Sequence, residues 1–544
     1  MLDLIIRGAS VVDGTGRPAR VADVGVKSGK VACVGRTDEG AEAILDAGGL
    51  ALMPGIVDVH THYDAQVTWD RTLSPSVSLG VTTAVMGNCG FGIAPCPARL
   101  RETMLKNLSV VEGMDLEALM RGTRWDFETF GEYLDALERL RPCANVAVLA
   151  GHSTIRTAVM GEEASTRARP TDEELARMKE IVRGAMRSGA AGFASSFSPN
   201  HSGWGGKPMP STIASDDELR ALASELGHAG KGIFVMATGP RATPEFMESI
   251  AAETGRPAFM VTVLTMYSRA QPTRALEYYE RCAQAIARGH EVRIHTSCQP
   301  LSFDFTLREP YLLYSHDAFD AVKAAGPEER ARIYRDPAFR RRFRDNLATP
   351  RSGILFHGDW SQIELDGVPV TRLSESPLDF VFDLPLDTQL VAKLYQNDDA
   401  GVAPLLRHSA GVVALSDAGA HLIYFCDAGF GLHFLAHWVR ETGTFGLEEG
   451  VRRLTSDPAR RYRIPRRGSI EPGQWADLVL FDPATVGVSS LERRRDLPGG
   501  GSRMVRTPIG LHGVWVNGLQ VFDGVQYRAQ DDGGPGQVLR AFDS

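Results

Sequence analysis

The sequence predicts an α/β protein, a (β/α)8 TIM-like barrel with a small β-sandwich formed by both chain termini. Three observations predict it. Short apolar runs alternate with helical stretches through the middle of the chain. Strand–turn–strand patterns occupy both ends. The 544 residues, 43% hydrophobic and 23% charged, are enough for a large barrel and an accessory domain.

Residues 1–51 carry the runs Leu4-Ile5-Ile6, Val11-Val12, Val21 to Val26 and Val31 to Val34, with turn chemistry at Asp13-Gly14 and Ser28-Gly29. Matching material lies after the barrel, in Gly468 to Asp482 and Val514-Trp515-Val516-Asn517-Gly518. Neither half can bury a sheet face alone, so 1–51 and 464–544 are expected to form one composite domain. Between them, 52–463 is expected to be the barrel, with strands near 52–60, 82–88, 145–150, 190–194, 232–237, 258–264, 291–296 and 411–416. The long gap between the last two strands predicts an insertion or lid at about 301–400. It includes a charged helical stretch from Pro327 to Asn346, whose run Arg340-Arg341-Arg342 reads as a solvated helix face.

The net charge of -8 and pI near 6.0 argue against nucleic acid or an anionic membrane as partner. No apolar run approaches the ~20 residues that span a bilayer, and the first residues do not resemble a secretory signal. Seven scattered cysteines suit a reducing compartment, so the cytoplasm is the expected location. A homo-oligomer is compatible with this sequence.

In barrels of this kind the chemistry sits at the carboxyl ends of the strands. The first strand ends in Asp58-Val59-His60-Thr61-His62. Alternate residues of a strand project the same way, so His60 and His62 can grip one metal ion. The second ends in Gly87-Asn88-Cys89-Gly90, where a thiol among glycines is open to a ligand. The third ends in Gly151-His152 with Arg156 close behind, and His152 orients substrate or serves as a structural hydrogen-bonding group. Ser196 closes the fourth, and His295 the seventh, with Cys298 three residues on. His295 lines the substrate cleft or, with Cys298, supplies a replacement ligand. The eighth ends in Ser416-Asp417-Ala418-Gly419-Ala420-His421. An aspartate closing an apolar strand is costly unless it has a partner, which makes Asp417 a candidate catalytic group.

The segment Pro54-Gly55-Ile56-Val57-Asp58-Val59-His60-Thr61-His62 resembles the first barrel strand of the amidohydrolase superfamily. The split terminal motifs, Pro472-Gly473 with Ala476-Asp477-Leu478-Val479 and Val514 to Gly518, resemble it too. Gly87-Asn88-Cys89-Gly90 is similar to the D-aminoacylase branch, the N-acyl-D-amino-acid deacylases, in which the matching cysteine binds the tightly held zinc. The resemblance implies a metal-activated water, Asp417 as general base, and metal ligands His60, His62, Asp417 and Cys89. It leaves His152, Arg156, Ser196, His295 and His421 as substrate-side residues. The expected cofactor is one divalent ion, zinc, and the expected substrate is a small-molecule amide, an N-acyl amino acid or a relative. The chain departs from that branch at strands five and six, which end in histidine in the family but here read Met236-Ala237-Thr238 and Thr262-Val263-Leu264. The arginine that holds the substrate carboxylate in the deacylases has no counterpart after His421, where the chain runs Leu422 to Cys426. Two alternatives stay open: a cyclic-amide, hydantoinase-like hydrolase, and a metal-free barrel used for binding or assembly.

Overall fold

The computed structural model describes residues 1–261, 263–349, 354, 356–421, 427–528 and 533–543. The expectations for Thr262 and for Leu422–Cys426 therefore lie outside the described residues. Eight parallel strands form one sheet: β1 (Ile56–Asp58), β2 (Val81–Met86), β3 (Asn145–Gly151), β4 (Gly192–Ser196), β5 (Ile233–Ala237), β6 (Ala258–Val261), β7 (Val292–Thr296) and β8 (Gly411–Val413). Each pairs with the next in chain order. A parallel bridge between Thr61 and Ala418, with the His62 N–H donating to the Ala418 carbonyl at 2.7 Å, joins the chain beyond β1 to the chain beyond β8. The two ends of the barrel sheet thus meet at the residues singled out for chemistry.

Several strand boundaries differ from expectation by a few residues, and two of the differences have a clear backbone cause. The run expected as one strand over 52–60 divides at Gly55. Ala51–Pro54 pairs with Leu2–Val11 and with Leu478–Phe481 in the terminal sheet, and only Ile56–Asp58 enters the barrel. A Cβ at Gly55 would lie 1.9 Å from the Thr82 hydroxyl, so only glycine lets the chain cross between the two sheets there. The last strand stops at Val413 rather than 416, because Leu415 (φ 75°) and Asp417 (φ 49°) leave the extended region.

The terminal strands form one eight-stranded sheet, ordered Leu519–Phe522, Leu511–Val516, Leu478–Phe481, Ala51–Pro54, Leu2–Val11, Arg20–Lys27 and Lys30–Val34, with Ala41–Asp46 also on Leu2–Val11. Ile6, Val24, Leu52, Leu478 and Trp515 share one core, so the two ends of the chain bury each other's apolar faces. Polar ties fasten this sheet at Asn145, the first residue of β3. Its amide donates to Asp477 Oδ2 at 3.1 Å and receives Asn517 Nδ2 at 2.9 Å, while buried Arg467 pairs with Asp477. The Asp and Asn of the two terminal motifs are therefore structural.

A second compact unit comprises 266–275 and 299–402. It holds a four-stranded sheet and an aromatic core of Phe319, Tyr334, Phe339, Phe343 and Phe382. The expected helical stretch is two helices, Pro327–Arg335 and Pro337–Ala348, divided at Asp336-Pro337. Arg341 and Arg342 are exposed, as a solvated face requires, but Arg340 is not. It is nearly buried and pairs with Asp379 at 3.0 Å and Asp383 at 2.6 Å. Among the described residues no helix is long and apolar enough to cross a membrane.

Candidate metal centre

Beyond β1, His60 and His62 face one side, and Thr61 between them donates its hydroxyl to the Val85 carbonyl at 2.8 Å. Cys89 comes from the turn after β2. That turn needs Gly87, which has φ 81° and whose Cβ would lie 2.3 Å from the Leu149 carbonyl oxygen. Asp417 comes from the strained segment after β8, and Cys89 (φ 55°), Asp417 and His421 (φ 55°) all hold left-handed backbone. Strain of this kind costs ~1–3 kcal/mol per residue and persists only where the surroundings enforce it.

These side chains converge. His60 Nε2 and His62 Nε2 lie 3.2 and 3.3 Å from the same atom, Asp417 Oδ1. Cys89 Sγ is 3.6 Å from His60 Nε2. One donor atom each from His60, His62 and Cys89 lies within 4.8 Å of the others, and all three residues are buried. Two imidazoles, a thiol and a carboxylate form a zinc donor set, and this spacing suits bonds of ~2.0–2.3 Å to one ion. The residues present fit the metal that the resemblance implies.

The electrostatics agree. Burial disfavours charge on His60, but the negative charge of Cys89 and Asp417 outweighs it and lifts the imidazole to about 9. His62 is likewise held well above its usual value despite burial, mainly by Glu112. Burial pushes the Asp417 carboxyl up, and the hydrogen bonds from both histidines bring it well below the carboxylate range. The pocket stabilises positive charge, as a divalent ion requires.

Several partners sit behind the converging atoms. Glu112, 2% exposed on the turn after the helix Arg101–Val111, places Oε1 3.1 Å from His62 Nδ1. Burial pushes its carboxyl to about 7 against the attraction of His62. Its carbonyl accepts the His421 N–H, and its Oε2 is 4.0 Å from His421 Nε2, which is 3.9 Å from Asp417 Oδ2. Asp58 accepts the His60 N–H at 3.2 Å and the Ser416 hydroxyl. His295 is buried, with Nδ1 3.1 Å from His60 Nδ1 and Nε2 2.6 Å from the Tyr462 hydroxyl. It touches a metal-side histidine from behind rather than lining an open cleft, and Cys298 is engaged elsewhere, against the Phe430 carbonyl at 3.3 Å.

The third-strand residues are both held inside the fold. His152 begins a helix, fully buried, with Nδ1 2.8 Å from the Ser195 hydroxyl and Nε2 2.9 Å from Glu218 Oε1. Arg156 is also fully buried and spends its guanidinium on Glu218 Oε2 and the Ala164 and Arg167 carbonyls. Both are committed to holding Glu218: for His152 this is the structural hydrogen-bonding role that the sequence left open, and for Arg156 it stands in place of the expected substrate contact. Ser196 pairs with His201 Nδ1 at 2.7 Å. His201, packed edge-on against Phe91, is held near 3 by burial and by repulsion from His421, His62 and His60, with Asp417 opposing them.

Glu112, His201 and Tyr462 join the site only in the folded structure. His201 had a usable signal, since it follows β4 by five residues on a loop where barrel chemistry concentrates. Glu112 and Tyr462 had none, because each reaches the centre from a turn after a helix.

A family model described as "Amidohydrolase family" matches residues 43–522. The D-aminoacylase of Alcaligenes xylosoxydans xylosoxydans is 30% identical over 541 residues, covering 98% of this chain and 96% of that protein. A solved D-aminoacylase, described by its binuclear metal centre with one-metal activation and second-metal attenuation, aligns at TM-score 0.69 with 25% identity, over 99% of this chain and 100% of that one. N-acyl-D-glutamate deacylase from Bordetella bronchiseptica, complexed with zinc and a phosphonate mimic of the tetrahedral intermediate, aligns at 0.67 with 26% identity over the same shares. A D-hydantoinase aligns at 0.54 over 99% of each chain with 16% identity, a likeness of fold alone.

Proposed function

This chain belongs to the amidohydrolase family, in its D-aminoacylase branch, as a hydrolase of carbon–nitrogen bonds other than peptide bonds, and from that premise we propose that it cleaves the amide of an N-acyl amino acid or a close relative with one zinc ion. His60, His62 and Cys89 hold the ion beside Asp417. The observation that carries this reading is the convergence of both Nε2 atoms on one Asp417 oxygen, with Cys89 in reach. Bound there, zinc supplies Lewis acidity that polarises a carbonyl and lowers the pKa of a water toward ~7.

The remaining work falls to the protein. Asp417 is 23% exposed at its side chain, so it reaches both the buried donors and an arriving substrate. It takes a proton from the attacking water and passes it to the departing nitrogen. His421 stands beside it, held near 4 by burial and by the charge of His62 and His60 against the attraction of Asp417. As a neutral imidazole it gives or accepts a hydrogen bond where the oxyanion forms. Ser196 and His201 form the adjacent hydrogen-bonding pair.

The hydrolase assignment removes the non-catalytic barrel, and the hydantoinase alternative has behind it a shared fold and a match to allantoinase over 60 residues, 11% of this chain. We place the protein in the cytoplasm, in keeping with six unpaired cysteines among the described residues. The deciding experiment measures metal content and hydrolysis of N-acyl-D-amino acids, their L-forms and a hydantoin. Turnover of an N-acyl amino acid that disappears in Asp417→Asn is the expected result. Undiminished turnover in that variant refutes the mechanism, and preference for the hydantoin refutes the substrate class.

A further inference from the structure

The geometry points to Glu112 and the His295–Tyr462 pair as positioning residues that lock His62 and His60 in their metal-binding tautomers. This rests on the zinc site proposed above.

A neutral imidazole carries one proton on two nitrogens, and only the bare nitrogen binds metal. For His60 the metal-facing atom is Nε2, which lies toward Asp417 and Cys89, and Nδ1 faces His295 Nδ1 at 3.1 Å. Two facing nitrogens form a hydrogen bond only if one donates and the other accepts. Two arrangements satisfy this. In one, His295 donates and the His60 proton sits on Nε2, where it blocks the metal. In the other, His60 Nδ1–H donates, His295 Nδ1 accepts, and the His295 proton sits on Nε2, 2.6 Å from the Tyr462 oxygen. Only the second leaves His60 Nε2 bare, and it requires Tyr462 as the acceptor. All three rings are buried, so no solvent can replace that acceptor. Phe259 from β6 packs on His295 and Tyr462 with centroids 5.8 and 4.7 Å away, which fixes their positions. β6 thus supplies the wall behind the relay.

Glu112 acts on His62 by charge. Its Oε1 is 3.1 Å from Nδ1 and favours the proton there, leaving Nε2 bare toward Asp417 at 3.3 Å. Partners behind a metal-bound histidine are typically worth 10–100-fold in metal affinity.

The test is competitive titration of Zn²⁺ and Co²⁺ against a chromophoric chelator, using unmodified protein, Tyr462→Phe and Glu112→Gln. Both substitutions keep side-chain shape, and thermal melting of the metal-free proteins monitors folding. The expected result is 10–100-fold weaker binding in each variant with an altered Co²⁺ visible spectrum. Variants that bind both ions as tightly as unmodified protein overturn the inference and leave the hydrolase reading standing. A lower melting temperature with unchanged affinity also overturns it, as that marks a packing role alone. If unmodified protein binds neither ion, the zinc site itself fails and takes this inference with it.

Discussion

Glu218→Ala is expected to destabilise the protein without changing its affinity for substrate. Glu218 is 2% exposed and holds two fully buried partners, His152 at 2.9 Å through Oε1 and Arg156 through Oε2. Removing it strands a guanidinium that has no route to water, and breaking a buried pair in this way costs about 3–5 kcal/mol. A typical domain is stable by only ~5–15 kcal/mol, so the loss is a large share. Burial raises the Glu218 pKa, but hydrogen bonds and charge from His152 and Arg156 outweigh it and leave the carboxyl below its usual value. A depressed folded-state pKa means the contribution is present above the unfolded value and fades as pH falls through the folded one. Urea titration followed by tryptophan fluorescence should therefore show a gap between unmodified protein and Glu218→Ala that is full at pH 7 and closes in strong acid. Replacing Glu218 and Arg156 together by leucine and methionine should recover much of the loss. A Glu218→Ala protein with an unchanged urea midpoint but a raised KM would refute this account and return Arg156 and His152 to the substrate.

Other outcomes are equally open to measurement. Asp417→Asn should lower kcat by about 10²–10⁴, the usual worth of a positioned general base, and single-turnover assays with matched metal loading would expose a smaller effect. Cys89→Ser should weaken zinc binding and abolish the near-ultraviolet thiolate band of the Co²⁺ form; a retained band would remove Cys89 from the ligand set. Because His60 is lifted to about 9 without metal, an incoming ion must displace its proton. Metal affinity should then rise from pH ~6 to ~8, with proton release detectable by calorimetry in buffers of different ionisation enthalpy. A flat profile would contradict that competition.

Much of the candidate centre is legible in the sequence. The barrel strands appear as apolar runs because a parallel sheet covered on both faces needs them. His60 and His62 follow from strand alternation, and Asp417 from the cost of an acid closing an apolar strand. Boundaries were less legible where backbone geometry overrides composition. The run from Ala51 to Asp58 is uniformly buried, yet it serves two sheets because Gly55 passes too close to Thr82 for any side chain.

By itself, then, the sequence determined the barrel, the β-rich domain shared by the termini, and which strand ends carry ligand-type side chains, since these depend on local periodicity and residue chemistry. Only the tertiary structure decided what stands behind each of them. Glu112 meets His62 from a turn after a helix, Tyr462 meets His295 across 167 residues, and Glu218 captures His152 and Arg156 from the helix Asp216–Ala229. A buried polar atom takes whatever partner the packing brings to it, and pairings this distant in sequence leave no local pattern to read.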